Sequence, residues 1–150
     1  MKRQNPPKDL DKAMRAGYQP MFMTGPEIMK NVKPADLGRG EEPAELWNRK
    51  LRESKMTGAE RYGIEAFEPG QSLRGPELRA KGIRANTSIE SEAKKHGLSG
   101  FVSLENYGDT RYLIGGHHRV ALSNEQFKSH IFPVKYFDDM WQARQDPGYK

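Results

Sequence analysis

Arg111-Tyr112-Leu113-Ile114-Gly115-Gly116-His117-His118-Arg119-Val120-Ala121-Leu122 reads as a strand that runs through two glycines into a helix. Glycines at the end of a strand let the chain turn sharply and let a ligand approach the backbone. The first N–H groups of the helix that follows have no intrahelical acceptor, and the helix dipole makes that end positive. Such a junction binds anions, phosphate above all. Arg119 adds an always-charged fork, and His117 and His118 add ring nitrogens that donate or carry protons. A helix N-terminus lowers a histidine pKa, so both imidazoles are expected to be neutral near pH 7. Adjacent side chains diverge, so one histidine is expected to face the ligand while the other braces the turn.

Upstream of the junction, Phe101–Leu104 and Arg111–Ile114 flank the turn-rich link Asn106-Tyr107-Gly108-Asp109, which predicts a hairpin. Downstream, Val120–Lys128 is expected to be helical. Ile131-Phe132-Pro133-Val134-Lys135-Tyr136-Phe137 is expected to be a strand, its proline marking an edge or a strand start. Thr87-Ser88-Ile89-Glu90 has the form of a capping box, and Gly97 ends the helix it opens, with His96 at the C-terminal end of the dipole. Further upstream, Thr24-Gly25-Pro26-Glu27 predicts a helix that stops near Val32, ahead of Pro34. Pro43 opens another, with Leu46, Trp47, Lys50 and Leu51 as its apolar stripe and its end near Ser54. The segment 58–82 is the least legible, with turns at 68–70 and 74–76. These elements make an α+β fold, a small mixed sheet with flanking helices.

The remaining composition bounds the function. The chain has 150 residues, suited to one domain, with 25 Lys and Arg against 20 Asp and Glu, a net charge of +5 and a pI near 9.4. A mild basic surplus of this kind favours a nucleotide, nucleic-acid or anionic protein partner. There is no cysteine, which excludes disulfides, thiolate metal sites and cysteine catalysis. The four histidines, at 96, 117, 118 and 130, match no zinc spacing, and no metal site is expected. No apolar run is long enough to span a bilayer and no signal-peptide core is visible, so a cytoplasmic location is expected. Residues 1–20 are expected to be a flexible basic tail with a short helix around Leu10–Ala16, and 140–150 a C-terminal tail beginning with a helical turn at Met140–Arg144.

From Thr87 to Phe137 the chain resembles the ParB/sulfiredoxin superfamily. The resemblance is carried by Lys95-His96-Gly97-Leu98, the strand Phe101–Leu104, Gly116-His117-His118-Arg119-Val120-Ala121 and Ile131-Phe132-Pro133-Val134. With Leu46-Trp47-Asn48-Arg49-Lys50-Leu51 added, the wider chain is similar to the small ParB-like nuclease domain proteins of actinobacterial phages. The resemblance implies a ParB/sulfiredoxin-like domain over 21–139 with its core at 87–137. It implies that Gly115, Gly116, His117, His118 and Arg119 hold nucleotide or DNA phosphates, with Mg²⁺ and ATP or CTP as the associated cofactors. In the partition proteins the motif is Gly-Glu-Arg-Arg and binds CTP; in sulfiredoxin it is Gly-Cys-His-Arg and binds ATP. His117 stands where the cysteine would be, so sulfinic-acid reduction is excluded. Free-serine kinases of the superfamily use an upstream glutamate as base, a role that falls on Glu65 or Glu68.

The implied activity is a nuclease (phosphodiesterase) or an NTP-dependent phosphoryl-transfer enzyme, with His117 or His118 as proton carrier and Arg119 steadying phosphate charge. An alternative is a catalytically inactive phage adaptor that binds a host or virion protein through its tails and the Trp47 helix. In either case the host cytoplasm is the implied location.

Overall fold

The computed structural model describes residues 6–63 and 85–146. Glu65, Glu68 and the turns expected at 68–70 and 74–76 lie outside the described residues. Chain order is α1 (Leu10–Arg15), β1 (Phe22–Thr24), α2 (Gly25–Asn31), β2 (Lys33–Pro34), α3 (Pro43–Ser54), α4 (Gly58–Tyr62), α5 (Ile89–His96), β3 (Val102–Tyr107), β4 (Thr110–Gly115), α6 (His117–Gln126), β5 (Ile131–Phe137) and α7 (Met140–Arg144). The five strands form one mixed sheet in the order β1-β5-β3-β4-β2. The β3–β4 and β1–β5 pairs are antiparallel, and β3–β5 and β2–β4 are parallel. The α+β class with flanking helices is what the sequence pattern implies.

The hairpin is tighter than its composition suggests. Asn106 and Tyr107 pair with Arg111 and Thr110, so the link shrinks to Gly108-Asp109, with Gly108 at φ +62°. A two-residue loop needs this positive φ, which glycine adopts without strain. Register slips at the other end: Leu104 faces Leu113, but Ser103 faces Gly115. The bulge at Ile114 bends β4 just where the chain must turn into α6, as bulges beside sites commonly do.

Pro133 lies on β5, the second strand of the sheet rather than an outer one. It faces Phe22 of β1, while pairing with β3 begins only at Val134. One side of the ladder is therefore empty at Pro133, and its missing N–H costs no bond there.

Leu104, Leu113 and Phe132 from the sheet meet Met23, Ile28, Leu46 and Val120 in one fully buried core. The tail assigned to 1–20 needs correction: Leu10 and Met14 of α1 are buried in that core. A six-residue helix is unstable alone. Burying two such side chains contributes about 3–6 kcal/mol as an upper bound, enough to dock it. At the other end Ala143 of α7 is fully buried, and Asp139 caps that helix by accepting from the Gln142 N–H at 2.7 Å.

Two boundaries shift by small amounts. Ser88, not Thr87, caps α5, accepting from Ser91 N–H at 3.0 Å, while the Thr87 hydroxyl donates to Glu92. Helix α6 starts at His117 and ends at Gln126 rather than running from Val120 to Lys128. At the entrance to the least legible segment, 58–82, Thr57 and Glu60 form a capping box that opens α4.

Candidate functional site

The strand–glycine–helix junction forms as the sequence pattern implies. Gly116 is the N-cap of α6 at φ +105°, a conformation that favours glycine. Space demands glycine too, because a Cβ there would lie 2.9 Å from Val102 Cγ1 and 3.2 Å from Arg119 Nη2. No side chain caps α6 and no acid sits in its first turn. Its first ladder bond runs from the Val120 N–H to the Gly116 carbonyl, so the N–H groups of His117, His118 and Arg119 meet no acceptor among the described residues.

The three side chains diverge. Arg119 folds back along the sheet, where Nη1 donates to the Ser99 carbonyl at 2.7 Å and Nη2 to the Phe101 carbonyl at 2.9 Å. It passes between Gly116 and Gly100, whose Cβ would stand 3.1 Å from Nη1. Its charge stays beside the junction, but two of its donors are committed to the loop before β3. Burial pulls its pKa down from the usual arginine value.

His117 turns inward. It is 6% exposed, its ring centroid is 5.9 Å from that of Trp47, and its buried Nε2 has no hydrogen-bond partner. Burial pushes its pKa down to about 4; Lys50, His118 and Arg49 act the same way, against Asp36. The imidazole is therefore neutral at pH 7, for a reason larger than the helix end to which the sequence pattern points.

His118 Nε2 lies 2.9 Å from Glu53 Oε1 on α3. Burial lowers the His118 pKa, and the hydrogen bond to Glu53 opposes that shift only in part; Lys50 and Arg61 lower it further. Burial raises the Glu53 carboxyl, but its bond to His118 and the nearby Lys50 and Arg49 bring it below the usual value. The arrangement is a neutral imidazole giving its Nε2–H to a carboxylate, which leaves Nδ1 with the lone pair.

Helix α3 supplies the support for this pair. Arg49 forks onto Glu41 with two bonds of 2.8 Å and reaches Glu53 at 3.6 Å. Lys50, buried in the stripe, ion-pairs with Asp36. Glu41, Arg49 and Glu53 thus form a chain of charges that ends on His118. Sequence reasoning missed Glu53, Glu41 and Asp36. The available signal was a lysine inside an apolar stripe: Lys50 shares a helix face with Trp47 and, one turn on, with Glu53 and Ser54.

The other histidines stand apart. His96 lies in the last turn of α5, 3.8 Å from Glu92, and His130 packs edge-on against Phe132 at 4.6 Å. Among the described residues no group of three or more His, Asp or Glu could hold a metal ion, and no helix is long and apolar enough to cross a membrane. A cavity between α1, α2 and the tip of the β3–β4 hairpin does not include residues 115–119; Trp47 lies in its wall as well as against His117.

The class that fold and site define is a mixed α+β domain with an open helix N-terminus flanked by a histidine–carboxylate pair. Comparison with protein-family models, with curated proteins and with solved structures finds no match.

Proposed function

We propose that this protein is a ParB/sulfiredoxin-like domain that binds the phosphates of a nucleotide or of DNA at the N-terminus of α6. The observation that carries this reading is the open first turn of α6, with three N–H groups that meet no acceptor among the described residues, no side-chain cap and no acid. Arg119, Lys50 and Arg61 set positive charge around it. The order α5, β3, β4, α6, β5 supports the superfamily assignment. A magnesium ion accompanying ATP or CTP would ride on the phosphates.

For turnover, as a nuclease or as an NTP-dependent phosphoryl-transfer enzyme, His118 is the proton carrier. Glu53 holds its Nε2–H and presents Nδ1 as acceptor, while the α6 N–H groups and Arg119 steady phosphate charge. His117 supports the turn from the inside, through Trp47.

The test is titration with ATP, CTP and a short DNA duplex, with and without Mg²⁺, followed by backbone amide shifts and thermal unfolding. Shifts at His117, His118 and Arg119 with a rise in Tm are expected, weakened in His118→Ala. Plasmid incubated with Mg²⁺ or Mn²⁺ should be nicked by the wild type and spared by His118→Ala and Glu53→Gln. Arg119→Ala is a poor probe, because it also strips the Ser99 and Phe101 carbonyls of their donors. If neither nucleotide nor DNA moves these amides, phosphate binding fails, and the phage adaptor that contacts a host or virion protein takes its place.

A further inference from the structure

A cavity of about 1410 Å³ opens between α1, α2, β2, the start of α3 and the tip of the β3–β4 hairpin. Arg111 stands in its wall and is only 8% exposed. Strand alternation puts it on the core face with Leu113 and Gly115, at the end of the strand where α1 packs.

Its hydrogen bonding is lopsided. Nη1 donates to the carbonyls of Gly108 and Thr110, both at 3.2 Å, which ties the hairpin tip. Nε is buried without a partner, Nη2 meets no acceptor, and no carboxylate pairs with the group among the described residues. A buried guanidinium without a counter-ion is costly, and two neutral carbonyls on one nitrogen offset only part of that cost. The edge without an acceptor among the described residues is Nε–Nη2, the fork that carboxylates and phosphates accept with two parallel bonds.

The cavity's own acids are committed elsewhere. Asp9 caps α1, Asp11 pairs with Arg15, and Glu27 closes the capping box of α2. Asp109 accepts from the Thr110 hydroxyl at 3.4 Å. Lys30 and Lys33, also in the lining, form no ion pair among the described residues. The wall also carries the apolar side chains Met14, Met29, Val32, Pro34 and Trp47. Pockets for drug-sized molecules enclose roughly 300–1,000 Å³, so this one has room for a body as well as a charged head.

We propose that this cavity is a second binding site, for a small organic anion whose carboxylate or phosphate head sits on the free edge of Arg111. Its apolar body lies along Met14, Met29 and Trp47, and Lys30 and Lys33 favour negative charge at the rim. Because Nε is covered in the empty site, seating the head draws the Arg111 fork toward the cavity. The site is separate from the α6 junction, with Trp47 shared between the walls of the two.

The probes are inorganic phosphate, hexyl phosphate and hexanoate, each titrated while the Arg111 Nε–H resonance and the backbone amides are followed by ¹⁵N NMR. The Nε–H should move with at least one of the two hexyl probes, which also separates a phosphate from a carboxylate head. That probe should bind at least about tenfold more tightly than inorganic phosphate, since a few buried methylenes suffice for that factor. Arg111→Lys, which keeps the charge and loses the fork, should weaken it by about tenfold. Should Arg111→Lys fail to fold, Lys33→Gln, at the exposed first residue of β2, should still weaken binding severalfold. Three results overturn the site: no movement of the Arg111 Nε–H at millimolar probe, equal binding by Arg111→Lys (or, where that fails to fold, Lys33→Gln), or shifts confined to residues 116–119. The last places the anion on α6 and leaves the junction standing without this site.

Discussion

Helices α2 and α6 pack against one another and begin in opposite ways. At α2 the Thr24 hydroxyl accepts from the Glu27 N–H at 3.3 Å, and the Glu27 carboxylate accepts from the Thr24 N–H at 2.8 Å. That end satisfies its own donors and neutralises its own dipole. At α6 the cap is a bare glycine, the first turn carries two imidazoles and a guanidinium, and the leading N–H groups stay open. The two are packed so closely that a Cβ on Gly25 would lie 2.5 Å from Ser123 Oγ and 3.1 Å from the Val120 carbonyl. The same core thus carries one closed helix end and one open one. The closed end is a structural device, and the open end is the one at which we propose that a phosphate binds.

The largest expected effect at the open end is a pH dependence seated at the buried His117. Its folded pKa, about 4, lies below the ordinary histidine value of 6.5 because burial disfavours the cation. Between those values the unfolded chain binds a proton that the folded chain refuses, so stability rises with pH across the window and falls as pH drops from 6.5 toward 4. The full effect is about 3 kcal/mol. His117→Phe keeps a ring against Trp47 and removes the titration. Urea unfolding at a series of pH values should show a slope between pH 4 and 6.5 in the wild type that is much flatter in the variant. Equal slopes would mean that the α6 end tolerates charge after all.

Next in size is Gly116→Ala. It meets two separate penalties, the left-handed φ and the contacts with Val102 and Arg119, and should lose about 2–3 kcal/mol of unfolding free energy. Gly17→Ala is the control: φ is +106°, but nothing lies within 4 Å of the added Cβ. It should lose about 1 kcal/mol. If the two variants lose the same amount, steric closure around the α6 cap is not what demands glycine there.

Much of this contrast is visible in the chain before folding. The capping box of α2, the stripe of α3 and the glycine turn into α6 are local signals, and each depends on residues within four positions of one another. Strands β1 and β2 are not visible, since runs of three and two residues carry no periodicity and exist only because β5 and β4 offer them a ladder. Helix α1 looked like tail because its two core residues, Leu10 and Met14, sit in a polar, proline-flanked stretch whose docking surface lies about a hundred residues away on β4. The site divides the same way. The junction and its three side-chain types are contiguous and readable, whereas the Glu53–His118 pair spans 65 residues and depends on how α3 crosses α6. The inward turn of His117 and the backward fold of Arg119 follow from packing against Trp47 and from the carbonyls of Ser99 and Phe101, none of which a linear motif reports.

The smallest expected effect is the sharpest on the comparison itself. Thr24→Ala removes the acceptor for the Glu27 N–H and opens the N-terminus of α2, at a cost of about 1 kcal/mol in thermal or urea unfolding. The Glu27 carboxylate remains in the first turn and still faces the positive end of the dipole, so the opened helix gains no affinity for anions. Amide shifts induced by ATP or CTP should therefore stay at His117, His118 and Arg119 in this variant and appear nowhere along Gly25–Asn31. Shifts at the start of α2 would show that an uncapped turn alone attracts the ligand, and that the cations and imidazoles gathered at α6 add nothing to its choice of site.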